Sequence, residues 1–152
     1  MNAPVRRIKV LIVDDSSVVR HYLRRALERC PDIEVIADAP DARIARDRIV
    51  ALKPDVVTLD IEMPGIDGIT LLRAIMTHAP VPVIIVSSIA TEGSAAAIKA
   101  LDAGAVDVIA KPGSAYSIEG IDDLIVERVR RAAVTPVSRA ATIAAARQSI
   151  SN

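Results

Sequence analysis

Apolar positions along the chain follow two spacings in turn. Short continuous runs of aliphatic and β-branched residues are each followed by a longer segment whose apolar residues recur at helical intervals. The run Ile8–Val13 leads into a helix over 16–30, where Val19, Tyr22, Leu23, Ala26 and Leu27 form one stripe. The pattern then predicts a strand over 33–37 and a helix over 41–52, a strand over 55–60 and a helix over 67–78. A strand over 81–88 with a helix over 91–103, and a strand over 106–110 with a helix over 118–133, complete the series. Five strand–helix units imply an α/β fold. The first, third and fourth strands are apolar throughout rather than alternating, as in a parallel sheet covered by helices on both faces. The expected architecture is a doubly wound five-stranded parallel sheet, whose binding crevice lies outside the carboxyl ends of the strands.

Composition narrows this picture. With 152 residues the chain suits one domain, and 51% hydrophobic residues with no Phe, no Trp and two Tyr make its core aliphatic. Recognition by aromatic stacking is excluded. One cysteine, Cys30, rules out an internal disulfide, fits a reducing compartment and reads as a small buried apolar residue. The basic N-terminus precedes too short an apolar run for a secretory signal or a membrane span, which need roughly 7–15 and about 20 apolar residues. A cytoplasmic protein without membrane insertion is expected. Zero net charge hides an asymmetry: residues 128–152 hold five arginines and no acid, whereas residues 1–127 hold 14 basic and 19 acidic residues. No nucleic-acid recognition pattern accompanies the basic end, which reads as a solvated segment rather than a nucleic-acid patch.

The strand ends carry the candidate chemistry. Asp14 and Asp15 follow the first strand, Asp60 the third, Ser87 and Ser88 the fourth, and Lys111 with Pro112 the fifth; Asp38, near the end of the second, lies farther out. A single Asp after a strand is ordinarily a turn or N-cap residue. Capping alone does not account for acids, a hydroxyl and a lysine ending four of these units. Three carboxylates in one crevice raise one another's pKa values unless positive charge intervenes. An all-oxygen set points to a hard cation, Mg²⁺ with Mn²⁺ as a substitute, and the lack of nearby His or Cys argues against zinc. Carboxylate, metal, lysine and hydroxyl together form a phosphoryl-transfer layout. Asp60 is the candidate nucleophile, Asp14 and Asp15 the metal ligands, and Lys111 and Ser87 the contacts to phosphoryl oxygens.

These residues, through VLIVDDSS, DVVTLDIEMPGIDG, VIIVSS and GAVDVIAKP, resemble the receiver domains of two-component response regulators over about residues 8–133. The resemblance implies a flavodoxin-like strand order 2-1-3-4-5. It also implies that Asp60 accepts a phosphoryl group from a histidine kinase, and that Asp14, Asp15, Asp60 and the backbone carbonyl of Glu62 serve Mg²⁺. Ser87 would take the switch-hydroxyl place and Lys111 the place of the family's lysine, with a cis Lys111–Pro112 bond. DIEMPGIDG, VSSIATEGS and GAVDVIAKPGS are most similar to the receiver domain of chemotaxis protein-glutamate methylesterases (CheB). That similarity implies a chemotaxis-type kinase, a receiver over 6–133, and an Ala/Arg-rich segment over 134–152 that starts an interdomain linker to an output domain.

The chain departs from the pattern in two ways. No G-x-S-x-G nucleophile elbow occurs, so these 152 residues carry no esterase site. Val108 stands where the family's aromatic switch residue is expected, three positions before the lysine. The competing readings are a free-standing receiver acting by protein–protein contact, a Mg²⁺-dependent phosphatase with an Asp nucleophile, and a plain interaction domain with structural acids. The phosphatase needs a second Asp two residues after the nucleophile, directly after the first strand; here the first-strand acids are adjacent and Asp60 is followed by Glu62. The Glu62 side chain is a candidate for tuning acyl-phosphate lifetime. Met63, Pro64 and Gly65 are expected to shape the loop, Gly68 to turn the chain into its helix, and His21 and His78 to carry no chemistry.

Overall fold

The computed structural model describes residues 6–91, 93–111 and 120–136. Strands β1 (Ile8–Val13), β2 (Ile33–Ala39), β3 (Val56–Leu59), β4 (Val83–Ser87) and β5 (Asp107–Ala110) alternate with helices α1 (Ser17–Glu28), α2 (Ala42–Leu52), α3 (Gly68–His78), α4 (Ala95–Asp102) and α5 (Asp122–Ala133). The sheet is parallel, in the order β2-β1-β3-β4-β5, as the resemblance to receiver domains implies.

Alternation along the buried strands divides the core in two. From β1, Leu11 and Val13 enter the cluster under α2, α3 and α4, while Val10 and Ile12 enter the cluster under α1 and α5. Each helix buries one stripe. On α1 these are Val19, Leu23, Ala26 and Leu27, and Ser16 caps the helix by accepting from the Val19 N–H at 3.3 Å. Tyr22 and Cys30 lie at the edge of this cluster, partly buried, so Cys30 is less enclosed than expected. No helix among the described residues is long and apolar enough to cross a membrane.

Several boundaries differ from the sequence reading. β2 continues to Ala39 because its register against β1 shifts between Val10 and Leu11, which lets Ala37, Asp38 and Ala39 pair with Leu11, Ile12 and Val13. β4 begins at Val83, after Pro82, which has no N–H to donate to the ladder. α4 begins at Ala95, well after residue 91, because Gly93 turns the chain at φ +76° and Ser94 caps the helix through the Ala97 N–H at 3.1 Å. α5 begins at Asp122, after a turn at Gly120. Residue 118, the expected start of that helix, and Pro112, with its expected cis bond, lie outside the described residues, as do Glu92 and residues 137–152.

Candidate functional site

Backbone bonds carry the sheet one residue past its strand ends and fix the charged residues there. The Asp14 N–H donates to the Ala39 carbonyl at 3.1 Å, the Asp60 N–H to Val13 at 3.0 Å, and the Lys111 N–H to Ser87 at 3.0 Å. Each side chain therefore leaves a rigid backbone.

The carboxylates of Asp14 and Asp60 each divide their oxygens between two tasks. Asp14 Oδ1 accepts from the Ser16 N–H at 2.9 Å and Asp60 Oδ1 from the Glu62 N–H at 2.9 Å, closing the turns after β1 and β3. Their Oδ2 atoms face a shared partner, Lys111, whose Nζ lies 2.8 Å from Asp14 and 3.3 Å from Asp60. Ordinary turn chemistry thus coexists with an ionic cluster. Asp15 is exposed, and one carboxylate oxygen each from Asp14, Asp15 and Asp60 lies within 4.8 Å of the others. This set could hold a metal ion.

Three acids and one ammonium leave an excess of negative charge. Asp14 is 1% and Asp60 4% exposed, and burial pushes both carboxyls above the usual carboxylate range against the opposing pull of Lys111 and the backbone donors. Burial also pulls the Lys111 ammonium down, but its hydrogen bond to Asp14 and the charges of Asp14 and Asp60 outweigh this, and its pKa ends above the ordinary value. A hard divalent cation suits an all-oxygen site with surplus negative charge and an exposed ligand.

Ser87 is fully buried; its Oγ accepts a long bond from the Ile89 N–H at 3.4 Å. Glu62 is exposed, and its carboxylate accepts from the Ser88 hydroxyl at 2.7 Å, tying the β3–α3 and β4–α4 loops together. Asp38 does not join the cluster: it sits within β2 beside Arg20 and Arg48, on the sheet edge. Val108 is half-buried against the α4 side of the core and lines a surface cavity with Leu101 and Leu124. His21 and His78 are exposed on helices away from the cluster.

Two contributors were not legible in the sequence. Arg20, on α1, donates to the Asp14 carbonyl at 2.7 Å and braces the β1 end against β2. No motif marks it, because its partner is a backbone carbonyl. Gly68 was expected to serve a turn, yet it is absent from the positive-φ glycines. Its role is clearance: a Cβ there would lie 2.3 Å from the Ile61 Cα and 3.0 Å from the Asp60 carbonyl oxygen. The start of α3 can approach the site loop only because residue 68 has no side chain.

Comparison with known proteins gives a consistent picture. Residues 10–121 match the family model for the response regulator receiver domain. A protein-glutamate methylesterase/protein-glutamine glutaminase of Syntrophus aciditrophicus is 52% identical over 136 residues, which are 90% of this chain and 40% of the relative. The chain thus spans about two fifths of that relative's length. Among solved structures, the response regulator domain of Thermotoga maritima CheB superposes with a TM-score of 0.82 at 42% identity, covering 86% of this chain and all of that one. A structure of the P1 domain of CheA3 in complex with CheY6 from R. sphaeroides matches at TM-score 0.70 and 31% identity, over 86% of this chain and 99% of that one.

Proposed function

The chain belongs to the response regulator receiver domain family, and on that premise we propose that Asp60 is its phosphoacceptor, charged by a histidine kinase in a Mg²⁺-dependent step. The observation that carries this reading is the triangle of Asp14, Asp60 and Lys111, with Lys111 Nζ 2.8 and 3.3 Å from the two carboxylates and Asp15 beside them.

In this reading an Asp60 carboxylate oxygen attacks the phosphorus of a phosphohistidine. The new O–P bond forms as the P–N bond breaks, and the electron pair leaves with the imidazole. The Glu62 N–H fixes the orientation of Asp60 during the attack. Lys111 already touches Asp60 Oδ2, so it needs only a short movement to meet a phosphoryl oxygen attached there. Ser87 would donate its hydroxyl hydrogen to another phosphoryl oxygen in a charge-assisted bond, while its oxygen keeps accepting from the Ile89 N–H. Asp14, Asp15, Asp60 and the Glu62 carbonyl would hold the metal, with Mn²⁺ as a substitute. When bound, the ion offsets the surplus negative charge and stabilises developing charge on the phosphoryl oxygens.

We further read residues 6–133 as the receiver and 134–152 as the start of a linker. The similarity to full-length methylesterases supports a role in controlling an esterase domain outside these residues, through a surface that changes with the state of Asp60. The solved CheA3 P1–CheY6 complex supports a chemotaxis-type kinase as donor. With Val108 in place of an aromatic ring, the coupling would rest on Ser87 and its loop. These assignments place the protein in the cytoplasm, without nucleic-acid binding.

The test is transfer from an autophosphorylated chemotaxis kinase carrying labelled phosphate. The label should move to the wild-type chain only with Mg²⁺ present and should stay on the kinase with Asp60→Asn. Equal labelling of both chains would assign the acceptor elsewhere.

A further inference from the structure

Helices α2 and α3 cover the sheet face opposite α1 and α5, and a groove between them lies apart from the acidic crevice. Arg46, Ile49 and Val50 of α2 face Ala74, Ile75 and His78 of α3 across it. Its volume of about 190 Å³ is below the ≈ 300–1,000 Å³ of small-molecule pockets, and suits an inserted side chain better than a free ligand. Val50 is 68% exposed, and Leu52, two residues on, is 42% exposed.

Charge sets this face apart. The spans of α2 and α3 contain Arg43, Arg46, Arg48, Arg73 and His78 but only one acid, Asp47, in a body whose acids outnumber its basic residues. Elsewhere most arginines are engaged, among them Arg6 with Asp55, Arg20 with Asp38, Arg128 with Asp107 and Arg130 with Asp32, with Arg25 on α1 the exception among the described residues. Arg48 likewise meets Asp38. Among the described residues, Arg43, Arg46 and Arg73 make no side-chain hydrogen bond or ion pair. The groove therefore has an apolar floor with the unpartnered Arg46 on its rim, and Arg43 lies three residues before Arg46 on α2, one turn along the same helix.

We propose that the α2–α3 groove is a docking site for an acidic amphipathic segment of a partner protein. An apolar side chain of the partner would seat between Val50 and Ile75, with carboxylates meeting Arg43 and Arg46. Other occupants fit less well. The chain's own 137–152 segment carries Arg139 and Arg147 and no acid. A two-fold contact between copies would bring the same arginine-bearing face to both sides of the interface, with no acid supplied against it beyond Asp47. Nucleic acid finds no aromatic platform and would leave the apolar floor unfilled.

The experiment uses the full chain and a helix-forming probe peptide of about four turns, with Leu at i, i+3, i+4 and i+7 and Glu on both flanks; a matched peptide carries Lys in place of Glu. Binding is followed by fluorescence anisotropy and amide chemical shifts. The acidic peptide should shift amides of α2 and α3, bind roughly tenfold more tightly than its Lys counterpart, and weaken with added salt. Arg46→Glu and Val50→Asp, both at exposed positions, should each reduce binding roughly tenfold; Arg46→Glu alone decides if Val50→Asp loses its fold. Amide shifts confined to other elements, equal binding of both peptides, or unchanged binding by Arg46→Glu would overturn the proposal. So would sedimentation showing a dimer that Val50→Asp disrupts, which would assign the groove to a second copy. Both variants should still accept a phosphoryl group, so failure here leaves the reading of Asp60 intact.

Discussion

At Lys111 one ammonium group faces two buried carboxylates, and the local energetics follow from that imbalance. Lys111→Met leaves Asp14 and Asp60 without their shared donor and should cost roughly 1–3 kcal/mol in metal-free protein at neutral pH, measured by urea unfolding. Acidification should shrink the loss as the two acids become neutral. Wild-type protein has its own pH signature, whose sign follows from the direction of each shift. Asp14 and Asp60 have raised folded pKa values, so the native state binds protons more tightly than the unfolded chain. Their contribution to stability falls as pH rises from the ordinary carboxylate value of 3.8 through the raised ones. Lys111 is also raised, so its contribution is complete below 10.5 and is lost as pH climbs through the higher folded value. Metal-free unfolding in Asp14→Asn should show a shallower decline across the acidic window than wild type; an identical profile would refute this assignment.

Among the secondary-structure elements, the approach of α3 to the β3 end depends on Gly68. Gly68→Ala places a methyl against the Ile61 backbone rather than a movable side chain, and should cost roughly 1–3 kcal/mol while displacing the loop that carries Glu62. Unaltered stability and unaltered phosphorylation would show that the loop yields freely. This is also where sequence reading reached its limit. The glycine was visible and its turn-like context suggested a backbone conformation, but clearance between two segments is a tertiary property. The five strand–helix units and the strand-end positions of Asp14, Asp60, Ser87 and Lys111 were legible, because apolar runs and their polar punctuation encode them directly; the strand order followed from the resemblance to receiver domains. The end of β2 was not, since its register shift against β1 depends on how two strands meet. Arg20 escaped for a similar reason: its partner is the carbonyl of Asp14, which has no residue identity to read.

In the whole molecule, the proposed metal binding and phosphoryl acceptance lie in one crevice at the carboxyl edge of the sheet, where they couple to folding. A divalent cation that binds only the folded chain stabilises it by about 1.4 kcal/mol at ten times its dissociation constant, a rise of roughly 4 °C in Tm for a domain of this size. Calorimetry should find this rise with Mg²⁺ at neutral pH and a much smaller one in Asp15→Asn, which removes the exposed candidate ligand. The rise should fade on acidification at a pH above that at which ordinary carboxylates titrate, because protons compete at Asp14 and Asp60. The most direct test of the central claim is the intact mass of the full chain after mixing with acetyl phosphate, with and without Mg²⁺, for wild type and Asp60→Asn. The account predicts an increase equal to one phosphoryl group in wild type with Mg²⁺, and none without the metal or without Asp60. The same adduct on Asp60→Asn, or no adduct on wild type under any divalent metal, would contradict it.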